Sequence, residues 1–156
     1  MITQWASAWA SWYANSAILR TSLGFAHVGG LVASAGPAFM IDRAILRAVR
    51  AGSTSRGAHL AEIEASHPLV LGGLLVVVVS GLLLMAADLD TFLHSVVFWI
   101  KMGLIALLLA NGWRLRRLGQ AAAAAHPSGQ ALGRAAVMSL VLWSCTILAG
   151  STLPNV

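Results

Sequence analysis

Two ionisable side chains lie within apolar segments of this chain. His27 lies in the first long apolar segment, and Lys101, the only lysine, lies between Phe98 and Leu109 in a later one. A charge near the centre of a bilayer costs at least about 2.5 to 3.5 kcal/mol, so each residue is a functional-site hypothesis. Imidazole is a standard axial ligand of haem iron, and an ammonium group binds anions. The two types together predict a site for a metal-centred or anionic group.

A b-type haem fits these residue types. Gly24 and Gly30 each lie three residues from His27, which leaves room for a flat porphyrin beside the helix. The haem propionates would be neutralised by Lys101 or Arg20. The alternatives are a histidine that is hydrogen-bonded within the helix bundle and a lysine that extends outward to the lipid headgroups.

Polar side chains from four apolar segments lie at one predicted depth. His27 is seven residues beyond Arg20 and Lys101 is seven beyond His94, which is two turns, or roughly 10 Å. The other two segments each place a serine near that depth. The members of this polar layer are His27, Ser80, Lys101 and Ser144. If they face inward they line a buried pocket, and His94 is a candidate second metal ligand.

The composition identifies the class of protein. Hydrophobic residues make up 58% of the 156 residues and charged residues only 10%, whereas soluble domains carry roughly 25% charge. Four spans of about 20 residues fit this length, and a large soluble domain does not. The arginines lie in short segments between apolar runs, so the net charge of +5 indicates membrane topology rather than a nucleic-acid partner. The single Cys145 excludes an internal disulfide.

The hydropathy predicts an all-α, four-helix, up-down membrane bundle over residues 18–156. Pro68 suits the first turn of the second helix, and the dense small residues predict close helix packing. Eight of nine arginines fall on one side, which the positive-inside rule makes cytoplasmic, leaving both termini outside an inner cell membrane. Asp42 and Arg43 lie on the arginine-rich side near His67, where an ion-pair network or a proton entry point is expected. The spans are about 21–41, 68–87, 92–113 and 132–153.

Residues 1–17 form a separate predicted element. At 100° per residue, Trp5, Trp9 and Trp12 fall on one arc with Tyr13 beside it, while polar residues take the opposite arc. This pattern is typical of an amphipathic helix lying at the outer membrane interface, where indole rings prefer the headgroup level. It anchors the chain or offers a docking surface.

Several stretches resemble known membrane families. The first helix, with His27 followed sixteen residues later by Arg43, resembles that of HemJ-type protoporphyrinogen oxidases. The stretches 80–84, 98–102 and 107–112 are similar to paired helices of HemJ-type and copper-resistance D-type proteins, which carry a lysine at the point of Lys101. Together the resemblance covers residues 22–117.

The HemJ resemblance implies a haem-containing membrane oxidoreductase that acts on a porphyrinogen. It makes His27 an iron ligand and Lys101 and Arg43 anion-handling residues. This chain departs from the pattern at Asn111-Gly112, where the family has a histidine near the end of the lysine-bearing helix. The copper-resistance resemblance implies metal handling, yet the methionines are scattered and no Met-x-x-Met motif occurs.

These observations predict a membrane protein that binds haem b for redox chemistry or electron transfer. The first alternative is a cofactor-free accessory subunit of a larger membrane complex or homo-oligomer. The second is copper or small-ion transfer through the layer of His27 and Lys101. Whether the protein is an enzyme stays open, and an enzyme of this type would be a membrane oxidoreductase.

Overall fold

The computed structural model describes the backbone of residues 2–51, 56–124 and 129–152 and the side chains of residues 5–51, 68–121 and 129–152. Over these residues the chain forms six α-helices and no strand, which confirms the prediction of an all-α protein. The helices are α1 (Ile2–Asn15), α2 (Ala17–Arg50), α3 (Arg56–Ala87), α4 (Leu89–His94), α5 (Val96–Ala124) and α6 (Gly129–Thr152).

Four segments of these helices are long and apolar enough to cross a membrane. Among the described residues they are Ala17–Arg50, Pro68–Ala87, Val96–Ala121 and Gly129–Thr152, with mean hydropathy from 1.3 to 2.7. Helices of this length can span the hydrocarbon core of a bilayer. Their apolar side chains face lipid, and their backbone polar groups are hydrogen-bonded within the helix. The chain is therefore a multi-pass membrane protein, as its composition predicts.

The helices extend beyond the predicted spans. α2 continues past residue 41 to Arg50, and α5 continues past residue 113 to Ala124. Arginine and alanine are strong helix formers, and Arg47 and Arg50 in the last turn of α2 interact favourably with the helix dipole. Hydropathy detects where the chain becomes polar, which need not be where the helix ends.

Two predicted helix starts are corrected. α3 begins at Arg56, so Pro68 lies inside the helix rather than in its first turn. The third span begins at Val96 rather than near residue 92 because a short helix, α4, precedes it. Asp88 caps α4 by accepting a hydrogen bond from the backbone N–H of Thr91 at 3.4 Å, and Ser95 ends it in an extended conformation.

The chain divides into two units with three boundaries, and the two boundaries that lie within α2 and α3 each fall at a proline. Unit one contains Met1–Gly36 and Leu69–Ser95, and unit two contains Pro37–Pro68 and Val96–Val156. Proline removes a backbone hydrogen bond from a helix interior. These two boundaries therefore coincide with the points where α2 and α3 each lack one such bond.

In unit one, α2 and α3 cross in near backbone contact at two glycines. A Cβ atom on Gly73 would lie 2.8 Å from the Gly30 carbonyl oxygen and 2.8 Å from the Ser34 nitrogen. One on Gly30 would lie 2.9 Å from the Gly73 carbonyl oxygen. Small residues allow such approach in membrane helices. The predicted packing through small residues is confirmed at this crossing.

The N-terminal helix α1 is held to the rest of unit one by side-chain hydrogen bonds. Ser16 Oγ accepts from the Leu19 backbone N–H at 3.2 Å and so caps α2. The Trp9 indole N–H donates to the Leu83 carbonyl oxygen of α3 at 2.8 Å. This bond fixes α1 against α3.

Trp9→Phe is expected to loosen α1, because phenylalanine keeps an aromatic ring but lacks the indole N–H donor. An interhelical hydrogen bond in a membrane protein contributes about 0.6 to 1.7 kcal/mol. Faster amide hydrogen exchange in residues 5–15 of the reconstituted protein is the predicted result. Trp5→Phe is the matched control because Trp5 is 77% exposed. Equal exchange in the two variants would show that the indole bond does not hold α1.

In unit two, α5 packs along α6. The Asn111 side-chain amide donates to the Ala135 carbonyl oxygen at 2.9 Å, and both residues are buried. A Cβ on Gly133 of α6 would lie 3.5 Å from Val49 of α2, which is ordinary contact. Asn111 therefore joins two helices.

Candidate functional site

The predicted iron ligand, His27, is held by a serine of the facing helix. His27 Nδ1 lies 3.0 Å from Ser80 Oγ in unit one. The Ser80 hydroxyl has carbonyl acceptors on its own helix, Val76 at 2.5 Å and Val77 at 3.2 Å. A hydroxyl has one proton, so when Ser80 donates it to a carbonyl of its own helix, Ser80 Oγ accepts from His27 Nδ1–H. The neutral imidazole then carries its lone pair on Nε2, the tautomer that ligates metals through Nε2.

Gly81 lies directly beside the imidazole, and sequence reasoning assigned it no role in the site. A Cβ at this position would lie 3.2 Å from His27 Cε1 and 3.7 Å from Nδ1. The ring therefore rests on the backbone of α3 where a side chain is missing. Ser80 supplies a hydroxyl to the imidazole, and Gly81 leaves room for its ring. The only sign of this role in the sequence is the small size of residue 81.

The two glycines that flank His27 have different surroundings. Nothing lies within 4 Å of a Cβ built on Gly24, so this side of α2 is open. The space beside Gly30 is filled by Gly73 and by Val76, whose atoms lie from 2.9 to 3.1 Å away. Gly30 thus serves helix crossing, and room for a flat group exists at Gly24.

Arg20 and His94 lie at helix ends in unit one. The Arg20 guanidinium donates to the carbonyl oxygens of Tyr13, at 3.3 Å, and of Ala14. These acceptors belong to the last turn of α1, so the arginine caps that helix. His94 is exposed, and its Nδ1 lies 2.8 Å from the Asp90 carbonyl oxygen. Within the described residues, no group of three or more histidine, cysteine or acidic side chains is arranged to hold a metal ion.

Lys101 lies in unit two against the end of α6. Its Nζ is 3.5 Å and its Cε 3.7 Å from the position of a Cβ on Gly150, in the last turn of that helix. The C-terminus of a helix carries a partial negative charge of about half a unit, which favours a cation. This helix end therefore places a partial negative charge beside the Lys101 ammonium group.

Gly150→Leu is expected to displace the Lys101 ammonium from the α6 terminus, because the larger side chain occupies its position. Gly150→Ala is the control, since contact at 3.5 to 3.7 Å is ordinary van der Waals distance. Lys101 is the only lysine, so peptide mapping after amine acylation reports on it alone. We expect faster acylation of Lys101 in Gly150→Leu and an unchanged rate in Gly150→Ala. Unchanged acylation in both variants would contradict the contact.

Ser144 does not line the interior of unit two. It is exposed, and its hydroxyl donates to the Leu140 carbonyl oxygen of its own helix at 2.9 Å. The buried hydroxyl on α6 is that of Thr146, which is 5% exposed and donates to the Leu142 carbonyl oxygen at 2.7 Å. A two-residue step turns the side chain by about 200°, which depth counting does not register.

The structure thus brings together two members of the predicted polar layer. His27 and Ser80 are hydrogen-bonded in unit one. Lys101 and Ser144 belong to unit two, the first at the end of α6 and the second on its exposed side.

A buried acid, Asp42, is a further polar feature of unit two. Sequence reasoning grouped it with residues on the cytoplasmic side, but its side chain is only 1% exposed. Ser139 of α6 donates a hydrogen bond to the carboxyl group. The His67 side chain, its predicted neighbour, lies outside the described residues.

Comparison with known proteins finds no relative of this chain. No family model matches the chain, and neither curated proteins nor solved structures give a match. The resemblance to HemJ-type proteins is neither supported nor opposed by these comparisons.

Proposed function

We propose that this multi-pass membrane protein binds a b-type haem through His27 and uses it for redox chemistry or electron transfer. The observation that carries the proposal is the hydrogen bond between His27 Nδ1 and Ser80 Oγ. Histidines that ligate metals almost always donate their other ring N–H to a neighbouring group, which fixes the tautomer and the ring orientation. Ser80, on a separate helix, is the neighbouring group that would accept this N–H from His27.

The surroundings of His27 support the same proposal. Gly24 leaves an open face one turn away on α2, and Gly81 lets the imidazole seat against α3. Burial of a haem between apolar helices excludes water and tunes its potential. The haem supplies one-electron chemistry, while His27 binds it and Ser80 orients the ring.

The proposal includes an arrangement in the membrane. The four spans form an up-down bundle in an inner cell membrane, with the arginine-rich helix ends in the cytoplasm and both termini outside. Arg43, Arg47 and Arg50 of α2 and Arg134 of α6 are exposed, as expected for residues at a polar boundary. α1 lies at the outer interface, where the exposed Trp5 and Trp12 contact headgroups.

The absorbance spectrum of the full-length protein tests haem binding. The protein is purified from membranes of cells supplied with haem, and the spectrum is recorded before and after chemical reduction. We expect a Soret band that shifts on reduction. A purified, helical protein without a Soret band would refute the proposal.

A second function, an accessory subunit of a larger membrane complex, is favoured by the low burial of the spans. In an apolar 18-residue window of each span, only 11% of the residues in Pro68–Ala87 and 17% in Val96–Ala121 are buried within the chain, against 39% in α6. Faces left open in this way contact lipid or another protein. Affinity purification from native membranes in mild detergent tests it, because a subunit brings a stoichiometric partner and a free-standing protein runs alone.

A further inference from the structure

Asp42 is one of the two largest fully buried side chains in the described part of the protein. It lies in α2, in unit two, and is 1% exposed. Ser139 forms a hydrogen bond with the carboxyl group, and Oδ2 has no hydrogen-bond partner among the described residues. One carboxyl oxygen is therefore bonded and the other is buried without a partner.

The described side chains of unit two give Asp42 no ion-pair partner. Every arginine of the described side chains is exposed, as is Cys145. Lys101 contacts Gly150, eleven residues along α6 from Ser139, which is a separation of about 16 Å. The charged side chains on α2, α5 and α6 of this unit are Arg43, Arg47, Arg50, Lys101, Arg114, Arg116, Arg117 and Arg134.

Buried residues flank Asp42 on α2 and Ser139 on α6. Ile45, one turn along α2, is 3% exposed, and Ala135, Ala136 and Trp143 of α6 are 1%, 0% and 3% exposed. An ionised carboxylate with an unpaired oxygen in such a place costs several kcal/mol, whereas a neutral carboxylic acid avoids most of this cost.

We propose that Asp42 and Ser139 form an intramembrane proton-binding site. The Asp42 carboxylate accepts a proton from hydronium at Oδ2, which gives the neutral acid and water, and release to water reverses the step. Ser139 stays hydrogen-bonded to the carboxyl group in both forms. Such a site lets the protein take up a proton within the membrane.

A proton fits this site better than a metal cation does. Hard metal cations such as Ca²⁺ and Mg²⁺ take about six to eight oxygen ligands. The described side chains supply the two oxygens of Asp42 and the one of Ser139. The proposal does not depend on haem binding, so each can fail without the other.

Infrared spectroscopy of the full-length protein in liposomes tests the site. The carbonyl stretching band of a neutral carboxylic acid is followed as the pH is raised, with helix content monitored by circular dichroism. We expect the band at a pH above about 5, where exposed carboxyl groups are already ionised, its loss at high pH, and its absence in Asp42→Asn. The chain has five acidic residues, and Asp90→Asn, which alters an exposed acid on α4, should leave the band unchanged.

Other outcomes would overturn the proposal. These are the absence of the band at every pH at which the protein stays helical, a band that ignores pH, or a band that persists in Asp42→Asn. If Asp42→Asn loses helix content, Asp42→Glu replaces it and must shift the frequency of the band. Loss of the band when sodium replaces choline at constant pH would make the occupant a sodium ion and contradict proton binding.

Discussion

Gly73→Ala is expected to destabilise the protein by about 1 to 3 kcal/mol, toward the upper end of that range. The added Cβ would lie 2.8 Å from two backbone atoms of α2, the Gly30 carbonyl oxygen and the Ser34 nitrogen. Backbone atoms of a helix cannot move aside as a flexible side chain can, so α2 and α3 must separate. Unfolding of the protein in mixed micelles, followed by circular dichroism, measures the change.

The neighbouring residue provides the control for this prediction. Nothing lies within 4 Å of a Cβ built on Gly72, and alanine has a higher helix propensity than glycine. Gly72→Ala should therefore unfold at the same detergent fraction as the wild type or a higher one. Equal destabilisation by the two substitutions would show that the crossing is not as close as described.

Ser80→Ala is expected to weaken haem binding about 10- to 100-fold, the usual effect of removing a group that orients a metal-ligating histidine. The substitution removes the acceptor 3.0 Å from His27 Nδ1. Without this acceptor, the tautomer that offers Nε2 to iron loses the group that stabilises it. Haem titration of the purified apoprotein, followed at the Soret band, measures the affinity.

Ser34→Ala is the matched control for Ser80→Ala. Ser34 also donates its hydroxyl to a carbonyl of its own helix, that of Gly30 at 2.8 Å, and lies in the same unit. The two substitutions therefore remove equivalent hydroxyl groups, but only one of them touches the imidazole. Equal haem affinities in the two variants would remove Ser80 from the proposed site.

The four membrane-spanning segments and their helix type could be predicted from the sequence because apolar runs of about 20 residues have few alternatives in a membrane. The helix ends could not. The extension of α2 to Arg50 and the start of α3 at Arg56 lie in polar segments, where hydropathy no longer indicates secondary structure. The cap of α4 at Asp88 was missed because an Asp-Leu-Asp segment also suits a simple turn.

The candidate site could be predicted in depth but not in direction. Counting residues placed His27 and Ser80 at one level, and the structure joins them. The same count included Ser144, which lies on the exposed side of its helix, while the buried Thr146 was left out. Glycine and alanine occur on several sides of these helices, so periodicity alone did not indicate which side faces inward.

The surroundings of Lys101 and Asp42 were also not predicted from the sequence. The partial charge of the α6 terminus beside Lys101 comes from backbone carbonyls, which no residue type reveals. Asp42 lies seven residues after Ala35 and three before Ile45, both buried, and this spacing was the available signal that the acid faces inward. The nearby arginines favoured a polar surface instead.

Haem incorporation by His27→Ala, compared with the wild type, tests the central claim most directly. Both full-length proteins are purified after expression with haem, and the haem-to-protein ratio and the Soret spectrum are measured with and without added imidazole. We expect one haem per wild-type chain, essentially none in His27→Ala, and recovery of a Soret band when imidazole replaces the missing ligand. The same ratio and the same spectrum in both proteins would contradict the assignment of His27 as the haem ligand.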